Sequence, residues 1–328
     1  MIGFRQQCGC TWVREAYPDI AEHKGHNIPF RCPCYGVGEV TPRVEKSLPV
    51  TSTPSGTTPS ATRPNGSLSS KIDTTIAHPA RIWNYWLGGK DNFEVDREVG
   101  DHTIAAYPHI IELARNQRSF LVRAVTHLAG ETGIRQFLDI GTGLPTANNT
   151  HEVAQAIAPE SRIVYADNDP LVLVHARALL TSHPKGATDY IDADLRDPDK
   201  ILAAAAETLD FTKPIAITML GIVIFLADDD EAYGVVDRLV EALPSGSYLA
   251  MTHTTNAIHG AATDEAVRIW NEGGSDPMVV RSLDGIDRFF RGLELIEPGI
   301  VSLTRWRPDA DTATGPEVDE FCGVGRKP

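Results

Sequence analysis

The sequence predicts a doubly wound α/β fold, in which a mostly parallel sheet carries helices on both faces. The first observation is the segment 137–146, FLDIGTGLPT, where a buried apolar strand runs into the glycine turn Gly141-Thr142-Gly143. The second is the alternation of short apolar runs with helical periodicity along most of the chain. The third is a late pair of strand patterns at 293–303 and 320–324, which predicts an antiparallel edge.

The elements follow one another in a regular order. Helical spacing covers residues 95–107 and 110–128, ahead of the first strand. Strand patterns then follow at 137–140, 161–167, 187–191, 214–225 and 248–252. Helices are predicted after these strands at 151–158, 171–180, 201–209, 230–243 and 261–271, with a further one at 282–290.

Composition and charge limit the classes of function. With 328 residues, 42% hydrophobic and 23% charged, the chain can bury a sizeable core. Its longest apolar run, 215–227, is too short to span a bilayer, and the N-terminus has no apolar signal region, so we expect a cytoplasmic protein without membrane attachment. Residues 80–328 carry 22 Lys and Arg against 38 Asp and Glu. Because phosphate backbones are bound by Lys and Arg, this charge disfavours a nucleic-acid partner.

The first 75 residues differ in composition from the remainder. Residues 1–40 hold four of the five cysteines, Cys8, Cys10, Cys32 and Cys34, in two C-x-C pairs. Two such pairs suit a small zinc site, although the usual spacing is C-x-x-C; the alternatives are a disordered leader or a wrongly assigned start. Residues 41–75 read as a disordered linker, because fourteen of the twenty residues 51–70 are Ser, Thr or Pro. The folded domain is expected to span 76–328.

The glycine turn differs from a dinucleotide fingerprint. Thr146 stands where a G-x-G-x-x-G motif has its third glycine, and Asp139 lies two residues before the first glycine. An acid at this place suits a ligand with a cationic amino group, such as S-adenosylmethionine (SAM), better than a pyrophosphate. A single G-x-G turn is a weak signal, and an ordinary strand-turn-helix corner remains the alternative.

Acidic residues also follow the next two strands. Asp167, with Asn168 beside it, lies 24 residues after Gly143, near the spacing at which an acid binds a ribose hydroxyl pair. Asp169 is the better candidate for the cap of the following helix, which leaves Asp167 for the ribose. Asp194 follows the third strand, where an adenine amino group or a helix N-terminus is the expected partner.

A segment rich in aromatic residues and glycine precedes the sheet. The sequence of residues 80–93, ARIWNYWLGGKDNF, is a candidate lid over a ligand, and the alternative is a stripe of core side chains. The lid or substrate residues predicted from it are Trp83, Tyr85, Gly88, Gly89, Lys90 and Asn92.

Together these motifs resemble an actinobacterial family of SAM-dependent methyltransferases with a class I, Rossmann-like fold. The resemblance is carried by residues 80–93, 116–121, 136–146, 166–169 and 192–198. It implies the strand order 3-2-1-4-5-7-6, with strand 7 antiparallel and a helical lid before the sheet. It also implies that Asp139 and the turn Gly141–Gly143 bind the methionine part of SAM, Asp167 the ribose, and Asp194 with Leu195 the adenine.

The acceptor and any general base are less well specified. Members of the family carry a His near the end of strand four, where this chain has Ile224. His253 after strand five and His151 near the glycine turn are therefore the candidate bases, against a structural role for each. We expect methyl transfer to a small-molecule acceptor. The alternatives are a non-catalytic SAM-binding protein, an NAD-dependent oxidoreductase, and an interaction protein that uses its cysteine-bearing leader.

Overall fold

A single twisted sheet organises the part of the chain that the structure describes. The structure is a computed structural model, and it describes residues 72–179, 181–273, 276–308 and 315–328. The predictions for the leader, including Cys8, Cys10, Cys32 and Cys34, and nearly all of the linker lie outside these residues. Within them, no helix is both long enough and apolar enough to cross a bilayer.

Strands and helices alternate along the chain as predicted. The strands are β1 Gln136–Ile140, β2 Arg162–Asp167, β3 Ala187–Asp192, β4 Ala216–Leu220, β5 Tyr248–Thr254, β6 Glu294–Leu295, β7 Val301–Ser302 and β8 Glu320–Arg326. The helices are α1 Pro79–Trp86, α2 Glu94–Ala106, α3 Ile110–Gly130, α4 Thr150–Ile157, α5 Pro170–Leu179, α6 Pro198–Ala205, α7 Asp229–Glu241, α8 Ala261–Gly273 and α9 Leu283–Arg288.

The sheet has the order β3-β2-β1-β4-β5-β8-β6, and β7 also pairs with β8. Strands β1 to β5 are parallel, and β8 is antiparallel to β5. The prediction of order 3-2-1-4-5-7-6 is thus confirmed, with its sixth strand divided into β6 and β7. Leu295 of β6 pairs with Gly325 and Val301 of β7 pairs with Cys322, so a step of six residues along β6 and β7 matches a step of three along β8. The extra residues form a loop between the two short strands.

The fourth strand is shorter than predicted. It ends at Leu220, because Gly221 adopts a φ of +66° and turns the chain out of the sheet. The apolar residues that follow form a 3₁₀ helix, Val223–Phe225, whose first two side chains are buried. An apolar run indicates that its residues are buried, but it does not fix their backbone conformation. The predicted strand was therefore longer than the observed one.

Both faces of the sheet are covered by helices. On one face, side chains of α3 and α4 pack against strand residues such as Phe137 and Ile163. On the other face, α6, α7 and α9 pack against residues such as Leu138 and Ile217. Successive strand residues point to opposite faces, so neighbours such as Phe137 and Leu138 join different cores.

A further helical layer, formed by α1, α2 and α8, packs around the buried residues Ile82, Trp86, Val99 and Trp270. Helix α1 begins with Pro79 in its first turn, which suits the fixed φ of proline. The buried pair of Arg81 Nε and Asp96 Oδ1, 3.1 Å apart, ties α1 to the first turn of α2. This layer confirms the helical lid implied by the family resemblance.

Candidate active site

One cavity lies at the carboxyl ends of the central strands, the usual place for a ligand in an open α/β sheet. One part of its wall, the glycine-turn half, consists of Asp139, Gly141, Thr142, Gly143, Asp167, Asn168, Asp194 and Leu195. The other, the aromatic half, includes Trp83, Trp86, Tyr107, Gln117, Phe225, Trp270, Met278 and Glu320. All eight residues predicted for the cofactor therefore line a single cavity.

The two glycines of the turn serve different purposes. Gly141 and Gly143 have φ values of +71° and +65°, which disfavour residues with a side chain. A Cβ on Gly141 would lie 2.4 Å from Ile222, so this glycine is needed for packing against the chain after β4. A Cβ on Gly143 would meet no atom within 4 Å. Gly143 therefore leaves open space in which a ligand can approach the backbone.

Asp139 lies beneath the turn, at 4% exposure. Its Oδ2 accepts a hydrogen bond of 2.6 Å from the hydroxyl of Thr150, the first residue of α4. Burial raises the pKa of Asp139, and the Thr150 hydrogen bond and the positive charge of Arg118 oppose that shift. The acid thus links β1 to the helix that follows the turn, and it faces the cavity.

Asp167, at the end of β2, is fixed by backbone amides. Its Oδ2 accepts from the amide of Gly143 and its Oδ1 from the amide of Asp169, both at 2.9 Å. Burial raises the pKa of Asp167, and these two hydrogen bonds oppose the shift. A carboxylate has about four acceptor positions, so two remain for a ligand. Asp169 caps α5 by accepting from the amide of Leu171 at 2.8 Å, the role predicted for it.

The residues after β3 complete this half of the cavity. Asn168 donates to Asp194 Oδ2 at 3.3 Å, and Asp194 Oδ1 accepts from the amide of Arg196 at 2.8 Å. Leu195 is buried beside them. This group presents a carboxylate and an apolar surface together, which suits the edge and the face of a purine base.

The predicted lid residues have different positions. Of the six, only Trp83 lines the cavity, because Trp83 and Trp86 are three residues apart on one face of α1. Tyr85 points away and donates to Asp101 Oδ1 at 2.6 Å. The segment with Gly88, Gly89, Lys90 and Asn92 folds back on α1. There the side chain of Asn92 donates to Asn84 Oδ1 at 2.9 Å.

The two predicted histidine bases lie outside the cavity wall. The strand β5 extends through Thr254, so His253 is inside it and points to the opposite face from Thr252 and Thr254. Its Nε2 lies 2.8 Å from a nitrogen of Arg281, and burial lowers its pKa to about 4. His151 Nδ1 lies 2.8 Å from the hydroxyl of Tyr165, and burial lowers its pKa too. Both histidines therefore have structural partners.

The cavity wall also contains residues that were not predicted from the sequence as site residues, among them Arg118, Gln117 and Glu320. Arg118, on α3, donates to the carbonyls of Ala147 and Asn148 at 3.2 and 3.0 Å, beyond the glycine turn. Gln117 and Glu320 lie in the aromatic half and are 203 residues apart in sequence. An acid that opens the last apolar strand was the available signal for Glu320. Arg118 falls within the segment 116–121 that carried part of the family resemblance.

Aromatic rings form much of the other half. Trp86 contacts Trp83 and Trp270 at centroid distances of 5.6 and 5.9 Å, and Phe225 lies 6.1 Å from Trp270. Ile224, which stands where relatives of the resembled family carry a His, lines the cavity from the 3₁₀ helix. This half therefore suits an apolar or ring-bearing group.

The residues of the glycine-turn half fit SAM. Gly143 leaves room for a ligand against the backbone, and Asp167 retains acceptor positions for a pair of hydroxyls. Arg118 and Asp139 place a positive and a negative charge near the turn, which matches the carboxylate and the ammonium of an amino acid.

Comparison with known proteins gives a consistent result. Residues 65–328 match the model of a family described as S-adenosyl methyltransferase. The chain is 48% identical to a DUF574 family protein from Streptomyces avermitilis, with a TM-score of 0.76 over 78% of this chain and 99% of that one. It is 41% identical to a candidate methyltransferase from Thermobifida fusca, with a TM-score of 0.72 over 80% and 98% of the two chains. Comparison with curated protein sequences finds no significant match.

Proposed function

Because the chain belongs to the S-adenosyl methyltransferase family, we propose that it methylates a small molecule bound in the aromatic half of the cavity. Family membership makes the protein a SAM-dependent methyltransferase, and it confirms the prediction of SAM as the cofactor. An NAD-dependent oxidoreductase, the alternative that shares the fold, does not agree with this family.

We assign the glycine-turn half to SAM. In this proposal Asp139 and the turn Gly141–Gly143 hold the methionine part, and Arg118 pairs with its carboxylate. Asp167 binds the ribose hydroxyls through the acceptor positions that the two backbone amides leave. Asp194 and Leu195 hold the adenine. When bound, SAM supplies an electrophilic methyl group, while the chain supplies binding and orientation.

The chain must also hold the acceptor in line with that methyl group and exclude water. Trp86 and Trp270, which are 4% and 1% exposed, line the cavity from α1 and α8 and present an apolar wall to the acceptor. A displacement at a methyl carbon needs the nucleophile within about 3.5 Å of that carbon and in line with the bond that breaks. Two adjoining halves in one cavity allow that alignment.

The apolar and aromatic lining of this half of the cavity is the observation that favours a small-molecule acceptor. A nucleic acid would need a basic groove, whereas residues 80–328 have an excess of sixteen acidic groups. A folded protein would need a wide, open surface at the reacting centre. Buried tryptophans suit a compact acceptor instead.

Transfer of labelled methyl groups tests this proposal. Purified protein is incubated with a cell extract and SAM labelled with tritium in its methyl group, and the extract is then separated by mass and by class of molecule. We expect label in molecules below about 1 kDa, the size range that a ligand cavity of a protein usually admits. Recovery of the label only in protein or nucleic acid would contradict the proposal.

The variant Asp167→Asn tests the assignment of the SAM site. Loss of the charge should weaken SAM binding about 10- to 100-fold in calorimetry, because hydrogen bonds to charged groups contribute roughly 1.5–3 kcal/mol. The control is Asp189→Asn, which changes an exposed acid on the neighbouring strand β3 that bonds to Thr208. Equal affinities for SAM in the two variants would remove Asp167 from the site.

A further inference from the structure

The aromatic half contains one carboxylate whose surroundings are unusual for a structural group. Glu320 is the first residue of β8 and pairs with Thr254 of β5, so its side chain lies on the same face as Thr252 and Thr254. Its side chain lines the cavity and the residue is 1% exposed. A buried carboxylate is costly unless it has partners, so the partners of Glu320 are informative.

Both partners of Glu320 bind the same oxygen. Gln117 Nε2 donates to Glu320 Oε1 at 2.7 Å, and the hydroxyl of Thr252 donates to the same Oε1. Among the described residues, no group donates a hydrogen bond to Oε2, and this oxygen is not fully buried. Oε2 therefore belongs to the surface of the cavity. Two donors fix the orientation of the carboxylate and leave one oxygen for a ligand.

Nothing cationic compensates the charge of Glu320 within the described residues. Two titratable groups interact electrostatically with Glu320: Tyr107, at the end of α2, and Cys322, on the same strand. Burial raises the pKa of both, so both are neutral near pH 7. Burial raises the pKa of Glu320 itself to about 7, while the hydrogen bonds from Thr252 and Gln117 oppose the shift. Such a group can gain or lose a proton near neutral pH.

Glu320 is also close to the glycine-turn half. A Cβ on Gly221 would lie 3.6 Å from Glu320 Oε1, and the next residue, Ile222, packs against Gly141. Only the short segment after β4 therefore separates the carboxylate from the glycine turn. Glu320 therefore lines the same cavity as the aromatic rings and is close to the part that we assign to SAM.

We propose that Glu320 binds the N–H or O–H of the methyl acceptor and takes its proton, so that the acceptor is a ring-bearing amine or alcohol. The inference rests on the proposed function and specifies its substrate class. It disfavours acceptors that present a carboxylate or a phosphate here, since the charge of Glu320 would repel them. Gln117 and Thr252 are positioning residues, because they act through the carboxylate.

The transfer balances with Glu320 as proton acceptor. The lone pair of the acceptor nitrogen or oxygen forms the new bond to the methyl carbon. The carbon–sulfur bond of the sulfonium breaks at the same time, and its electron pair remains on sulfur. The proton of the acceptor passes to Glu320 Oε2 and later to water. No other reactant is required.

Binding of matched probes tests the proposal without knowledge of the natural acceptor. Protein saturated with S-adenosylhomocysteine (SAH) is titrated with two series on a common ring: benzylamine, benzyl alcohol and benzoate, then tryptamine, tryptophol and indole-3-propionate. We expect the amines and alcohols to bind in the millimolar range or tighter, and at least tenfold tighter than the acids. In Glu320→Gln this preference should disappear while SAH binding is unchanged.

The control is Glu317→Gln, which changes an acid just before β8 that contacts Arg305 and does not line the cavity. It should keep the preference of the wild type. Unchanged amine binding in Glu320→Gln, a preference of the wild type for the acids, or binding of neither series would overturn the assignment. Failure of the wild type to bind SAH would instead contradict the proposed function.

Discussion

Asp167 and Glu320 are both buried carboxylates in one cavity, but their partners differ. Asp167 accepts from two backbone amides, whose positions are fixed by the glycine turn and by the start of α5. Glu320 accepts from two neutral side chains on a single oxygen. Burial raises the pKa of each. We therefore assign to Asp167 a role in binding and to Glu320 a role in accepting a proton.

The raised pKa of Glu320 predicts a stability effect. An acid whose pKa is about 7 in the folded protein and 4.5 in its ordinary state binds more protons when folded, so its ionisation destabilises the fold as pH rises between those values. In Glu320→Gln this loss should be absent. We expect the variant to gain stability relative to the wild type from pH 5 to pH 8, on the order of 3 kcal/mol in total.

Urea unfolding at several pH values measures this difference. Glutamine can offer its oxygen to Gln117 and Thr252, so the fold should be retained. Glu317→Gln, on the surface, should show no such trend with pH. A difference between Glu320→Gln and the wild type that stays constant over this range would show that the carboxylate does not titrate there.

At the scale of elements, helix α1 and the loop after it form one unit around Asn84. This side chain is 4% exposed, and its Oδ1 accepts from the amide of Asp91 at 3.0 Å and from Asn92 at 2.9 Å. A Cβ on Gly89 would lie 2.3 Å from Asn84. The loop is therefore folded closely onto the helix whose tryptophans line the cavity.

Removal of the Asn84 side chain should loosen this loop. In Asn84→Ala the amide of Asp91 loses its acceptor, at a cost of roughly 1–3 kcal/mol. Hydrogen exchange in residues 87–93 should accelerate about 5- to 100-fold. Asn256→Ala, which removes an exposed amide that bonds to Asp264, is the control. Unchanged exchange in 87–93 would mean that Asn84 does not hold the loop.

Local patterns in the sequence predicted most elements because each element depends on neighbouring residues. The glycine turn and the acids after β2 and β3 could be placed for the same reason, since the carboxyl ends of parallel strands meet at one edge. The end of β4 and the orientation of His253 could not be placed. Both depend on where a strand stops, and a shift of one residue reverses the face of a side chain.

At the scale of the whole molecule, the contacts that form the aromatic half of the cavity join distant parts of the chain. Gln117 on α3 meets Glu320 on β8 only after the antiparallel strand has closed the sheet beside β5. Gln117 lies in the segment 116–121 that carried part of the family resemblance, and Glu320 opens an apolar strand, but neither pattern brings the two residues together. The sequence therefore predicts the cofactor better than the chemistry of the acceptor, because the cofactor residues follow short motifs.

The central claim is that one cavity holds SAM at the glycine turn and the acceptor in the aromatic half. A crystal structure of the complex with SAH tests it most directly. We predict that the amino acid part of SAH contacts the turn Gly141–Gly143, that its ribose bonds to Asp167, and that its sulfur faces the aromatic half. Adenine placed among the rings of Trp86 and Trp270, or SAH bound outside this cavity, would contradict the account.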